Sequence, residues 1–216
     1  MNDLDFAVAI FDLDGTLLES MYVWQRVDEL FFAAHALPMP ENFGREIAGM
    51  SYRESALYTI KRYGLTQSWE EIVAEWMSMA AREYEQNVRL KPGAEAYLRR
   101  LRAQGKRLAV ATAMPEELFR PCLVRNGVDG LFEAMFSTED TGGRGKLSGR
   151  IFRLAAERMG VAPSACVVFE DVYEGVVGAK KAGMRAVLVH DAASTHCRKE
   201  ALLLADRVID SFTELL

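Results

Sequence analysis

Phe6-Ala7-Val8-Ala9-Ile10-Phe11-Asp12-Leu13-Asp14-Gly15-Thr16-Leu17 is the stretch from which the fold is read. An unbroken apolar run, Ala7 to Phe11, passes straight into two acids and a glycine. Such a run, bounded by a turn signal, is the pattern of a strand buried on both faces of a parallel sheet. Side chains alternate along a strand, so Asp12 and Asp14 are expected to lean to one side. They would then emerge at the carboxyl end of that strand, where open α/β sheets bind their ligands. Gly15 lets the chain turn away and leaves backbone N–H groups open to an anion. Taken alone, the same residues also read as an acidic cap for a following helix.

Working outward, the composition changes at once. Residues 20 to 86 read as helices, with no buried-strand run among them. Met21, Trp24, Val27, Leu30, Phe31 and Ala34 recur at helical spacing, and Leu37-Pro-Met-Pro40 breaks the pattern. Ser51 with Glu54 three residues on forms a capping box, Gly64 ends that helix, and Ser68 caps the next. About four helical segments are expected in one insertion. From Leu90 onward, strands and helices alternate. Leu108–Thr112, residues 134 to 137, Cys166–Phe169, Ala186–Val189 and Val208-Ile209 are the strand candidates, and Pro92 and Pro115 open helices between them. Alternation of this kind means a doubly wound parallel sheet, an α/β fold interrupted after its first strand by an all-helical insert.

The 216 residues carry a formal charge of −5, and half are apolar. That excludes an electrostatic case for nucleic acid or an anionic membrane. No apolar stretch approaches the roughly 20 residues of a spanning helix. The acidic start lacks the basic residues of a secretory signal, so a cytoplasmic address is expected. Cys122, Cys166 and Cys197 are odd in number and far apart, and His35, His190 and His196 are scattered, so neither a disulfide framework nor a zinc site is suggested.

Polar groups follow several of the apolar runs: Asp12 and Asp14, then Thr112, then Glu170 and Asp171, with Lys146 in a glycine-rich loop before a helix. A parallel sheet gathers its strand ends on one edge, so these residues can meet. Several carboxylates in one crevice repel one another unless a cation lies among them. With oxygen donors only, a hard metal such as Mg²⁺ fits.

In this order the motifs resemble those of the haloacid dehalogenase superfamily, nearest its beta-phosphoglucomutase-like phosphatases. Asp12-Leu-Asp14-Gly15-Thr16-Leu17 is similar to the first motif, Ala111-Thr112 to the second, and Lys146 six residues before Phe152 to the third. Phe169-Glu170-Asp171, with Gly175, Ala179 and Ala182-Gly183-Met184, resembles the fourth. The resemblance implies a Rossmann-like core from residues 1–17 and 88–216, with a helical cap over 18–87. It implies that Asp12 is the nucleophile, forming an aspartyl phosphate, and that Asp14 is the general acid and then base. Thr112, the N–H of Ala113 and Lys146 would hold the phosphate oxygens. Asp12, Asp171 and the carbonyl of Asp14 would bind Mg²⁺, with Glu170 behind them or bridged by water. In the cap, Trp24, Gly49, Ser51 and Arg53 lie where related caps reach the substrate.

The chemistry explains why such roles are needed. A carboxylate about 3.5 Å from a phosphate dianion is repelled by roughly 9 kcal/mol at an effective dielectric of about 20, some six orders of magnitude in rate. An unperturbed aspartate, with a pKa near 3.9, is protonated about once in a thousand at pH 7, so an acid role for Asp14 requires its pKa to be raised. The expected activity is Mg²⁺-dependent hydrolysis of a small phosphorylated metabolite, such as a sugar phosphate, by a monomer. A sugar phosphomutase is the alternative. Mutases of this group carry Gly-Val where this chain has Gly15-Thr16, and a cap histidine where it has Trp24. A dehalogenase does not use the second acid that Asp14 supplies. A silent binding protein of the same fold leaves buried carboxylates without a purpose.

Overall fold

A computed structural model of the chain describes residues 5–47, 50–143 and 145–216. Its contacts divide into two units. One comprises the chain up to Met21 together with Val88–Leu216, and the other is Tyr22–Asn87.

The first unit is built on β1 (Val8–Phe11). The second unit follows, with α1 (Val23–Ala34), α2 (Phe43–Glu46), α3 (Tyr52–Tyr63) and α4 (Trp69–Gln86). The chain then returns through α5 (Ala94–Ala103), β2 (Arg107–Thr112), α6 (Glu116–Arg125) and β3 (Ala134–Ser137). It ends with α7 (Arg150–Arg158), β4 (Cys166–Glu170), α8 (Tyr173–Lys181), β5 (Arg185–Val189), α9 (Arg198–Leu204) and β6 (Arg207–Ile209).

Every strand pairing is parallel, and the sheet order is β3-β2-β1-β4-β5-β6. This is the doubly wound α/β sheet expected from the alternation. The chain winds outward from β1 through β2 to β3, then returns to the other side of β1 for β4, β5 and β6. The reversal therefore lies between β1 and β4, where crevices open at the carboxyl edge of such sheets. Among the described residues, no helix is long and apolar enough to cross a membrane.

Strand pleating sorts the side chains. Val8 and Ile10 of β1, Ala109 and Ala111 of β2, and Cys166 and Val168 of β4 face one way, into a cluster with Ile151, Phe152 and Ala155 of α7 and Val176 and Ala179 of α8. Residues of the other parity face an aromatic layer. Phe11 stacks on Phe169 with centroids 4.5 Å apart, and Tyr97 of α5 lies 5.7 Å from Phe169. Phe212 closes that layer, 5.9 Å from Phe169. Both faces of the central strands are buried, which explains why the sequence shows continuous apolar runs there.

The helical unit has a core of its own. Phe31 meets Trp76 at 5.5 Å, and Phe32 meets Phe43 at 4.7 Å and Tyr63 at 5.0 Å. Ser51 and Ser68 begin α3 and α4 with complete capping boxes: the Ser51 N–H donates to Glu54 at 2.8 Å and the Ser68 N–H to Glu71 at 2.7 Å. Gly64 ends α3 in the left-handed region. Helix α1 starts at Val23 rather than at Met21, which is largely exposed. Pro92 precedes α5 by two residues, because Gly93 rather than the proline is its N-cap.

Candidate active site

Pleating carries the site residues to their places. Asp12 follows Ile10 in parity, and Glu170, the last residue of β4, follows Val168. The Phe11–Phe169 register continues outward, with the Asp12 N–H donating to the Phe169 carbonyl at 3.0 Å. Asp12 and Glu170 therefore come off neighbouring strands on the same side, the side covered by α7 and α8. Lys146 approaches from that side in a 3-10 turn, Lys146–Ser148, that packs on α8. Its ammonium donates to Asp12 Oδ1 and to Glu170 Oε1, the latter at 2.6 Å. Lys146 is only 8% exposed.

Asp171 completes the cluster. Carboxylate oxygens of Asp12, Glu170 and Asp171 all lie within 4.8 Å of one another, and all three residues are buried. Thr16 Oγ1 donates to Asp171 Oδ1 at 2.9 Å, and Ser194 Oγ donates to Oδ2. Gly15 is needed twice here. Its φ is +72°, and a Cβ would sit 2.3 Å from Asp171 Oδ2. Asp14 lies past the strand, bridged to Leu18, and accepts a hydrogen bond from Ser20 Oγ at 2.6 Å.

A cavity of about 270 Å³ opens over these groups, lined by Asp12, Asp14, Thr112, Ala113, Lys146 and Asp171 among others. At its edge the Met114 N–H donates to Thr112 Oγ1 at 3.2 Å, leaving the hydroxyl proton to be donated elsewhere. The structure thus brings together the core residues singled out from the sequence. Trp24, Ser51 and Arg53 belong to the helical unit. There, Trp24 lies 5.3 Å from Tyr52, Ser51 caps α3, and the Arg53 guanidinium sits 5.3 Å over the Trp69 ring. Gly49 is outside the described residues. The hydroxyls of Thr16 and Ser194 bond Asp171 and that of Ser20 bonds Asp14, contacts the sequence does not show. Thr16 lies inside the first motif, but nothing local marks Ser20 or Ser194.

The electrostatics are those of an anionic pocket. Burial pulls the Lys146 ammonium down, but Asp12 and Glu170 outweigh it and hold the group above the ordinary lysine range. Burial pushes Glu170 well up; Lys146 opposes this, while the charges of Asp12 and Asp171 add to it. Asp171 is raised to about 6, by burial first and then by Asp12. When all are ionised, three carboxylates face one ammonium. Glu170 Oε2 is buried and has no hydrogen-bond partner among the described residues. Excess negative charge, oxygen donors and an unsatisfied buried oxygen together fit a hard divalent cation such as Mg²⁺. Cys122 and Cys166 play no such part: burial pushes both thiols up to about 11, so they stay protonated at neutral pH.

Known proteins of similar sequence and structure identify the family. Residues 6–183 match the family model of the haloacid dehalogenase-like hydrolases. The chain is 30% identical to a probable pseudouridine-5'-phosphatase of Drosophila melanogaster, over 84% of this chain and 80% of the relative. It is 29% identical to validoxylamine A 7'-phosphate phosphatase of Streptomyces hygroscopicus subsp. limoneus, over 97% and 96% of the two chains. The crystal structure of CbbY from Rhodobacter sphaeroides in complex with phosphate superposes with a TM-score of 0.76 at 25% identity, covering 97% of this chain and 96% of that one. The chain belongs to the haloacid dehalogenase-like hydrolases, in their beta-phosphoglucomutase-like branch, and is a phosphoric monoester hydrolase.

Proposed function

We propose that the protein is a Mg²⁺-dependent phosphatase that hydrolyses a small phosphate monoester, a sugar phosphate or a similar metabolite, through an aspartyl phosphate on Asp12. The observation that carries this reading is the buried cluster of Asp12, Glu170 and Asp171, with Lys146 between Asp12 and Glu170. The phosphatases among the relatives support it.

In this reading Thr112 Oγ1, the Ala113 N–H and the Lys146 ammonium hold the phosphate oxygens against Asp12. The Asp12 carboxylate attacks phosphorus as the bond to the leaving oxygen breaks, and Asp14 gives that oxygen its proton. Asp14, now ionised and oriented by Ser20, takes a proton from water. The water oxygen attacks the aspartyl phosphate, the bond to Asp12 breaks, and free phosphate and the original carboxylate result. Asp12, Asp171 and the carbonyl of Asp14 would hold Mg²⁺ with Glu170 behind them, and when bound its charge would offset the repulsion between carboxylate and phosphate. Trp24, Ser51 and Arg53 are proposed as substrate contacts from the helical unit.

The test is phosphate release from an aryl phosphate and from a panel of phosphorylated metabolites, with Mg²⁺ and with chelator. Turnover is expected only with the metal, and Asp12→Asn is expected to abolish it while the protein still folds. Unchanged turnover in Asp12→Asn would falsify the nucleophile assignment. Isomer accumulating faster than phosphate from a hexose 1-phosphate would make the enzyme a mutase.

A further inference from the structure

Ser194 lies in the stretch 190–197 between β5 and α9, a connection that supplies no other group to the acid cluster. It is nevertheless only 8% exposed, and its hydroxyl ends on Asp171 Oδ2. Lys91 fastens that stretch. Its ammonium donates to the His190 carbonyl at 2.9 Å and to Asp191 Oδ2 at 2.8 Å, in a pair only 12% and 14% exposed. Asp191 in turn shapes the turn: its Oδ1 accepts from the Ala193 N–H at 2.8 Å and its carbonyl from the Ser194 N–H at 3.3 Å. The Lys91 N–H donates to the Leu17 carbonyl at 2.8 Å, one residue beyond Thr16. A ring of contacts closes through Thr16, Asp171, Ser194, Asp191, Lys91 and Leu17.

Lys91 does not line the cavity, and its charge is matched by Asp191. A buried ion pair stabilises a fold little by itself, so an organising role is the better account of this one. The torsion that turns a carboxylate about its last bond is broad, and a single hydrogen bond leaves it loosely set. With Thr16 on one oxygen and Ser194 on the other, the Asp171 carboxylate has one orientation. Each oxygen keeps a lone pair for a further partner.

We propose that Ser194 is a positioning residue for Asp171, held in place by the Lys91–Asp191 pair, and that it sets the affinity of the acidic site for a divalent cation. This rests on the reading of Asp171 as a cation ligand. Partners of metal-binding carboxylates typically change affinity or activity by 10- to 100-fold when removed.

The experiment titrates Mg²⁺ into the full chain by thermal unfolding, and in parallel follows Mg²⁺ activation of aryl phosphate hydrolysis. In Ser194→Ala, the Mg²⁺ midpoint should rise about tenfold or more in both assays. The rate at saturating Mg²⁺ should stay within about threefold, the mark of lost ground-state binding. Ser194→Thr keeps the hydroxyl and should restore most of the affinity. Lys91→Met should act in the same direction, and less than additively with Ser194→Ala, because both lie on one path. If Asp171→Asn abolishes the Mg²⁺ response while Ser194→Ala keeps its midpoint within about twofold, the cation site stands and the role of Ser194 is refuted. A lower saturating rate with an unmoved midpoint refutes it equally. A wild-type protein that Mg²⁺ does not stabilise overturns the cation reading and this inference with it.

Discussion

Replacing Lys146 by Met strips the acid cluster of its ammonium, and the structure allows the consequence to be worked out. Lys146 Nζ lies 2.6 Å from Glu170 Oε1, which at an effective dielectric of about 20 is an attraction of about 6 kcal/mol. That full amount is not lost, because the carboxyl can take up a proton instead. Protonating a carboxyl of unfolded pKa near 4.3 at pH 7 costs about 3 to 4 kcal/mol, and because burial already raises Glu170 in the wild type, part of that cost is present there too, so about 3 kcal/mol is the ceiling of the deficit. Breaking a buried pair elsewhere costs a similar 3 to 5 kcal/mol. The sign with pH follows. Glu170 is already raised by burial, and losing Lys146 raises it further, so its folded pKa lies above its unfolded one. The deficit relative to wild type is then fully present above the variant's folded pKa and is gone once pH falls below the wild type's own raised value. Urea unfolding of wild type and Lys146→Met, in chelator, should show a loss of between about 1 and 3 kcal/mol at pH 7 and below about 1 at pH 5. A loss under about 1 kcal/mol at pH 7, or one that does not shrink at pH 5, refutes the reasoning.

Gly175→Ala tests the same carboxylate sterically: a Cβ there would lie 2.1 Å from Glu170 Cδ, on a side chain with no exposed surface. Denaturant unfolding should show a loss of about 1 to 3 kcal/mol, and no change would mean that Glu170 has room to move. In the helical unit, burial first and then Glu29 raise Asp28 to about 6, so its ionised form costs stability above that pH and nothing below about 4. Asp28→Asn should therefore stabilise by about 1 kcal/mol at pH 7.5, after allowance for partial exposure, with the gain gone at pH 4. An equal gain at both pH values would locate the effect elsewhere.

Much of the architecture is legible because its signals are local. Capping boxes at Ser51 and Ser68 span four residues each, and the apolar runs of β1, β2, β4 and β5 announce strands buried on both faces. Strand order is not local, since nothing in a buried run names its neighbour. The alternation argument for Asp12 and Asp14 also needs correction. Strand β1 ends at Phe11, so the two acids share the cavity through the turn at Gly15, while the pleat aligns Asp12 with Glu170 instead. Lys146 is marked by its spacing to Phe152, but its burial is not legible, because that depends on a turn docking against α8. Thr16 bonds a residue 155 positions away, a distance no motif spacing expresses. For Arg53, the structure shows a stacking partner in Trp69.

The adjacency of Asp12 and Glu170 is a property of the main chain. Their strands are laced together by peptide hydrogen bonds up to and including the Asp12 N–H, so the gap between the two acids is inherited from the ordinary spacing of parallel strands. No choice of side chain elsewhere sets it, and only a slip of the ladder changes it. One residue inserted within β4 would turn Glu170 over to the aromatic layer of Tyr97 and Phe212 and strand it there without an ammonium. The pairing of β1 with β4 therefore guards the chemistry as much as the fold, whereas the outer strands β3 and β6 are under no such obligation to the acids.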